Sequence, residues 1–460
     1  MFSAWRFAAL ILAAAAVLAG SACTEEVSTV IRVELRFPED RDPLADVVEL
    51  RIAVHGEAGE EQVHVLDRPS DGEWSGLGAS VALGRVDLDP GRIVVEGMDG
   101  GGRIVCAGES LPIPIRSGTG GRVAVFVQTL GTSGLAPSMP RGWRDHSAAY
   151  LSGGGVMLAG GPDEAPSGES WVYALDLYEP IAMASLPSND ERSLVGLAPL
   201  GGGRALLWGG SHDGGQVYSL DPAENVWEEV EVIDELRRAW PAPLWGSLPD
   251  GGVVTLRGRT LVELTSGSTP TAVVVGEVES DVEPETFTVL SSRLAAITGS
   301  GGDFFVVLVD LGDAEIRPVP QPARSRAGHA VAALSDGRAV IAGGADESGM
   351  NEDVDVLDAV QESWSALEGL LAGHGRMGAT LSRLPDDRLV LAGGVDAGGE
   401  ALADAVVIDV DAATATVIEL VSPRVGHTAT ALPMGTVLLI GGETDDGEGL
   451  ATVEVLRPPP

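Results

Sequence analysis

The chain has 460 residues, 44% of them hydrophobic and 62 of them Gly, enough for one large closed β structure plus a smaller domain, each with its own core. Its 68 acidic residues outnumber 29 basic ones, all of them Arg, to give a net charge of -39. That balance excludes the basic stripe by which proteins displace the counterions of a phosphate backbone, so no nucleic-acid partner is expected.

Residues 1–22 read as an export signal: Arg6 lies in a short leading region, an apolar run covers 7–18, and small residues follow up to Cys23. A segment of this kind is removed, and it is not a membrane span. The run Leu18-Ala-Gly-Ser-Ala-Cys23 resembles the lipobox of bacterial lipoproteins, with Gly20 where that family prefers Leu. The resemblance implies that Cys23 carries the lipid and becomes the first residue of the mature chain. Several acyl chains, at about 0.8 kcal/mol per buried methylene, hold such a protein to a membrane without spanning it. Thr24 rather than Asp follows the Cys, which by the same resemblance implies the outer membrane. With Cys23 given to lipid, no intrachain disulfide is expected, and Cys106, in the alternating run 103–107, is expected to be a small buried hydrophobe.

Residues 23–128 form the anchor and an N-terminal domain. Period-2 stretches at 30–37, 47–54 and 92–97 are separated by Gly, Pro and Asp, a pattern of antiparallel strands. Short strands at this spacing predict a small immunoglobulin-like β-sandwich. The turn cluster 117–121 then precedes one more strand at 122–127.

From residue 129 to 460 the chain repeats itself. A Leu stands nine residues ahead of Gly160-Gly161, Gly209-Gly210, Gly343-Gly344, Gly393-Gly394 and Gly441-Gly442, and of the remnants Arg257-Gly258 and Gly299-Ser300. These leucines, Leu151, Leu200, Leu248, Leu290, Leu334, Leu384 and Leu432, are spaced by 49, 48, 42, 44, 50 and 48 residues. Periods of that size mean a stacked or closed array. Each repeat reads as a first strand ending at the Leu, a turn, an apolar strand running into Gly-Gly, a variable loop, and third and fourth strands, the fourth carrying Trp227 and Trp364 in two cases. Four strands per unit predict a β-propeller. The last repeat stops at Pro460 after its third strand, so residues 129–140 are expected to close the array and cover the open edge.

Arg326-Ala-Gly-His329 with Gly343-Gly344 and Trp364, and Arg424-Val-Gly-His427 with Gly441-Gly442, resemble the motif of kelch repeats. The second repeat keeps Arg192, Tyr218 and Trp227 with Val195 in place of His, and the sixth keeps Arg376 with Ala379 there. The resemblance covers about residues 140 to 460 and implies an all-β chain: a seven-bladed kelch-type β-propeller preceded by the sandwich. By the same resemblance, Arg326, His329, Arg424 and His427 pack between repeats rather than act on a substrate.

No catalytic constellation is visible. The seven His are scattered and form no close zinc-binding pair, and the Tyr, His and Cys set of a radical-copper oxidase is missing where it would be needed. No cofactor is expected. One acidic pattern recurs in the loops after Gly-Gly, at Asp163, Glu164, Asp213, Asp346, Glu347, Glu352, Asp353, Asp445 and Asp446. Carboxylates placed there are candidates for a basic partner surface or for calcium, although no compact Asp-x-Asp-x-Asp loop is present. The expectation is a lipid-anchored envelope protein that binds a protein or glycan through these loops, with an enzyme acting on carbohydrate as the alternative.

Overall fold

The computed structural model describes residues 29–460, apart from 57–58, 60, 70–73, 75–76, 84–87, 116–121, 153, 162–168, 186–194, 210–216, 231–243, 258, 266–271, 278–283 and 301–303, together with Leu10 and Ile11. The chain is all-β, as the alternation predicted: among the described residues there is no α-helix, and the one helical turn is the 3-10 turn Gly201–Gly203. It divides into two compact units, residues 137–174 with 179–458 and the remainder.

The N-terminal unit holds two sheets. One runs Leu10–Ile11, Leu77–Leu83, Thr29–Arg36, Arg122–Phe126; the other runs Gln128–Thr129, Ile104–Glu109, Leu88–Met98, Glu49–Gly56, Glu61–Asp67, with Ile113–Ile115 beside Leu88–Met98. Alternation sends Leu50, Ile52 and Val54 inward from one strand, and they meet Ile93, Val95, Val33, Val123 and Val125 in a single core. Each fully buried side chain of this kind contributes about 1.5–3 kcal/mol relative to exposure. Cys106 belongs to that core, as expected; it pairs across the strands with Gly97, where a Cβ would stand 2.5 Å from the Cys106 sulfur. Two pairings depart from the antiparallel expectation, one of them the short parallel contact of Leu10–Ile11 with Leu77–Leu83. Thr29–Arg36 pairs parallel with Arg122–Phe126, a register the alternation pattern does not encode because both strand senses alternate alike.

The second unit contains the repeats. Six of them fold as four-stranded antiparallel meanders, beginning at His146–Leu151, Val195–Leu200, Leu244–Ser247, Pro284–Ser291, Ala327–Ala333 and Thr380–Arg383; the fifth adds the short strand Gly349–Met350. The seventh contributes Thr428–Ala431, Val437–Ile440 and Val453–Arg457, paired in that order. All seven anchor leucines are buried. The apolar second strands are buried on both faces, with alternate residues serving opposite neighbours. In Leu389–Ala392, Leu389 and Leu391 join a core with the fifth repeat, whereas Val390 and Ala392 join one with the seventh. A continuous apolar run is what a strand between two packed layers requires. At the far end of the third strand an Asp recurs, and its carboxylate caps the turn by accepting backbone N–H bonds: Asp221 from Ala223, Asp310 from Gly312, Asp358 from Val360 and Asp409 from Ala412.

The first strands of successive repeats lie side by side from the first to the seventh, and the first strand of the seventh lies beside that of the first. At the end of the expected closing segment 129–140 the N–H of Met139 donates to the Ala451 carbonyl, and just beyond it that of Trp143 donates to the Leu450 carbonyl. No helix among the described residues is long and apolar enough to cross a membrane.

Candidate functional site

The residues singled out by the motif converge on the joints between repeats. Arg326, Arg376 and Arg424 each stand eight residues before the anchor Leu, where the chain enters its first strand, and all three are fully buried. Each donates to the carbonyl of the first glycine of its own pair, Gly343 at 3.2 Å, Gly393 at 3.2 Å and Gly441 at 2.7 Å. Each also pairs with an acid on the third strand of the same repeat: Arg326 with Asp355, Arg376 with Asp404 at 2.8 Å, and Arg424 with Glu454. Glu454 is itself fully buried. Burial pulls the Arg326 and Arg424 guanidiniums down and pushes the Asp355 carboxyl up, so removal from water outweighs the mutual attraction of Arg326 and Asp355.

The backbone of the same arginines receives the neighbouring repeat. The second glycine of each pair donates its N–H to the arginine carbonyl of the next repeat, Gly344 to Arg376 at 2.7 Å and Gly394 to Arg424 at 2.9 Å. Gly442 makes the corresponding bond to Trp143 at 2.7 Å, which carries the pattern from the seventh repeat to the first. This explains why the pair is glycine. Gly343 has a φ of +69°, and a Cβ there would sit 2.7 Å from the Arg376 carbonyl oxygen. Gly160, Gly161, Gly393, Gly394 and Gly441 are likewise in the left-handed region, whereas Gly209 ends an extended strand and Gly210 lies outside the described residues.

The histidines lock the same joints from the side chain. His329 bonds the Thr298 hydroxyl of the preceding repeat at 2.5 Å, and His427 bonds that of Thr380 at 3.0 Å. Burial, and then the Arg326 charge, lowers His329 to about 4; burial, followed by Arg424 and His146, holds His427 well below the ordinary range. Both rings are therefore neutral at pH 7 and engaged with a neighbouring sheet. Trp227 and Trp364 fasten the outer edges: their indole N–H groups donate to the carbonyls of Ala184 at 2.8 Å and Pro320 at 2.5 Å, each at the end of the preceding repeat.

The acidic loop residues are dispersed. Asp346 accepts both arms of Arg324 and the Ser348 N–H, which together hold its carboxyl well below the usual range, the Arg324 hydrogen bonds weighing most. Glu352 and Asp353 accept the Gly373 and Gly369 N–H groups, and so shape the connection into the sixth repeat. Asp445 accepts the Ala401 N–H at 2.5 Å, joining the loops of the sixth and seventh repeats. Glu347 and Asp446 are exposed. Cys23, Asp163, Glu164 and Asp213 lie outside the described residues. Among the described residues no three His, Cys, Asp or Glu side chains cluster closely enough to hold a metal ion.

Several joint residues escaped the sequence reading. Trp143 and His146 occupy in the first repeat the places of Arg and His; the Trp143 ring stands edge-on to His146 at 5.7 Å, and His146 bonds Thr428 of the seventh repeat at 2.9 Å. The available signal was the fixed offset of five residues between His and anchor Leu, obscured because Trp replaces the cation. Asp355, Asp404 and Glu454 were hidden because their arginines lie 28–30 residues away, a separation set by strand pairing rather than by local spacing. His374 was also missed: its Nδ1 lies 2.8 Å from Asp404 Oδ2. No family model matches the chain, and no curated protein matches it.

Proposed function

We propose that this chain is a lipid-anchored bacterial envelope protein, a binding scaffold rather than an enzyme, in which a seven-bladed kelch-like propeller follows an immunoglobulin-like sandwich. The observation that carries the reading is the Gly442-to-Trp143 bond, which repeats between the last and first repeats the bonds that join the fifth to the sixth and the sixth to the seventh. An array whose end meets its beginning through the same joint supports a closed propeller. Within it the motif residues serve the joints. Arg326, Arg376 and Arg424 are buried against backbone and acids, and His146, His329 and His427 against threonines. Function then falls to the loops after Gly-Gly, which differ in length and sequence from repeat to repeat and present Glu347 and Asp446 to solvent.

Two measurements test this. Cys23→Ser is expected to abolish metabolic palmitate incorporation and to release the chain from membranes; unchanged labelling refutes the anchor. A protein or glycan captured by the full chain from native envelopes is expected to be lost when Glu347→Arg and Asp446→Arg are combined. Full retention by that variant refutes the loop surface.

A further inference from the structure

The three joints around the sixth and seventh repeats are built alike in the backbone and differently in the side chains. The joint between the fifth and sixth repeats has the Gly344-to-Arg376 bond, but Ala379 stands where a His would be. The seventh repeat, by contrast, has a buried imidazole at each of its joints: His427 toward the sixth repeat through Thr380, and His146 of the first repeat through Thr428. In both rings Nε2 faces the threonine hydroxyl while Nδ1 is buried with no hydrogen-bond partner among the described residues. A ring that donates from Nε2 keeps its lone pair on Nδ1. With either tautomer the protonated ring carries hydrogens on both nitrogens, and its Nδ1–H meets no acceptor among the described residues.

The charges around the two rings do not answer such a proton. On its own segment His427 faces Arg424, whose charge is matched by Glu454 from the third strand of the seventh repeat. From the sixth repeat it meets the Gly393 backbone, beneath which Arg376 is paired with Asp404. From the first repeat it meets His146 itself. His146 is flanked on its own segment by Trp143, Asp145 and Arg144, the last paired with Glu443 of the seventh repeat. The nearby carboxylates of Glu454, Asp404 and Glu443 are already paired with arginines, and the Asp145 carboxylate, next in sequence to His146, lies toward Gly426. Burial lowers His146 to about 3, in keeping with this geometry.

We propose that the seventh repeat is the acid-releasable segment of this fold: uptake of protons by His146 and His427 opens its joints to the sixth and first repeats together, while the joint between the fifth and sixth, which lacks a His, holds. Neutral rings favour the closed joints, so the stabilisation is complete above the unfolded His value of about 6.5 and is lost as pH falls toward the folded values.

Hydrogen exchange of the full chain between pH 7 and 4 tests the proposal through the amides of Gly344, Gly394 and Gly442. Two protons taken up on opening make protection fall by as much as about a hundredfold per pH unit. That fall is expected at Gly394 and Gly442 relative to Gly344, and parallel loss at all three overturns the proposal. His427→Gln and His146→Gln singly are expected to reduce the differential slope to about tenfold per pH unit, and the double variant to remove it. A differential that survives in the single variants at full slope overturns the proposal. Should the double variant fail to fold, NMR titration of the two imidazoles in the wild-type chain decides: titration at or above pH 6 overturns the mechanism, and titration below pH 5 supports it.

Discussion

The fifth to seventh repeats and the third and fourth repeats build antiparallel sheets by different means. In the former, each joint is a polar lattice in which a buried arginine, its acid and two glycines occupy fixed positions. In the latter, Leu248, Leu256, Phe287, Ile297 and Leu311 pack as one apolar cluster, and Gly246 lies against the Val289 side chain. There the Thr255 hydroxyl donates to the Leu244 carbonyl of its own repeat at 2.9 Å. Directional bonds demand particular residues at a fixed register, whereas apolar contact demands only volume and burial. The sequence motif therefore persists in one region and fades in the other while the strands remain in both.

The comparison breaks most sharply at Arg424. Arg424→Ala removes the cation that the fully buried Glu454 carboxylate faces, and is expected to cost about 3–5 kcal/mol in denaturant unfolding. Replacing both members, Arg424→Met with Glu454→Gln, is expected to recover part of that loss, because the neutral amide needs no buried charge and still offers an acceptor to the Val421 and Ser422 N–H groups. Thr255→Val in the apolar region is expected to cost about 1 kcal/mol, the net worth of one hydrogen bond. Equal losses for Arg424→Ala and Thr255→Val would dissolve the distinction between the two kinds of joint.

His329 lies where the regions meet, reaching from the fifth repeat to Thr298 of the fourth. Its folded value of about 4 lies below the unfolded 6.5, so the neutral ring contributes stability that is complete above pH 6.5 and is lost as pH falls toward 4. The shift corresponds to about 3 kcal/mol over that window, and His329→Gln is expected to flatten the dependence of unfolding free energy on pH by about that amount. An unchanged slope would mean that the ring titrates normally. Gly343→Ala follows, at about 2–3 kcal/mol, since the new Cβ meets both a left-handed φ and the Arg376 carbonyl.

The strands, their number per repeat and the burial of all seven anchor leucines were legible because they follow from local alternation and from one period. The parallel pairing of Thr29–Arg36 with Arg122–Phe126 was not, because it joins strands far apart in the chain. At the joints, Arg326, His329, Arg424 and His427 could be read from their spacing to Gly-Gly, but their acids could not: Asp355, Asp404 and Glu454 stand among many other acidic residues, and only pairing across the sheet selects them. Trp227 was legible as a repeat residue, though not its role of donating to Ala184 of the preceding repeat. Trp227→Phe, which keeps the ring and removes that donor, is expected to cost about 1 kcal/mol in denaturant unfolding. A neutral result would assign the tryptophan to apolar packing alone, within the cluster that includes Tyr218, whose ring lies edge-on at 6.4 Å.

The smallest effect concerns the one joint where the polar lattice runs on altered residues. In the fifth, sixth and seventh repeats the residue six before the anchor Leu is Gly328, Gly378 or Gly426, at φ of +65°, +63° and +65°. The first repeat has Asp145 there at +51°, and its N–H still donates to Gly426 at 3.2 Å. The backbone thus keeps the left-handed turn even where the side chain opposes it, because the bonds on either side, His146 to Thr428 and Gly442 to Trp143, fix the chain. Asp tolerates this region better than most residues, and glycine gives back part of any gain through the greater freedom of its unfolded state. Asp145→Gly is accordingly expected to raise stability by only about 0.5 kcal/mol, read as a small rise in Tm. A loss of 1 kcal/mol or more would mean that the Asp145 carboxylate contributes a contact of its own at the joint between the last repeat and the first.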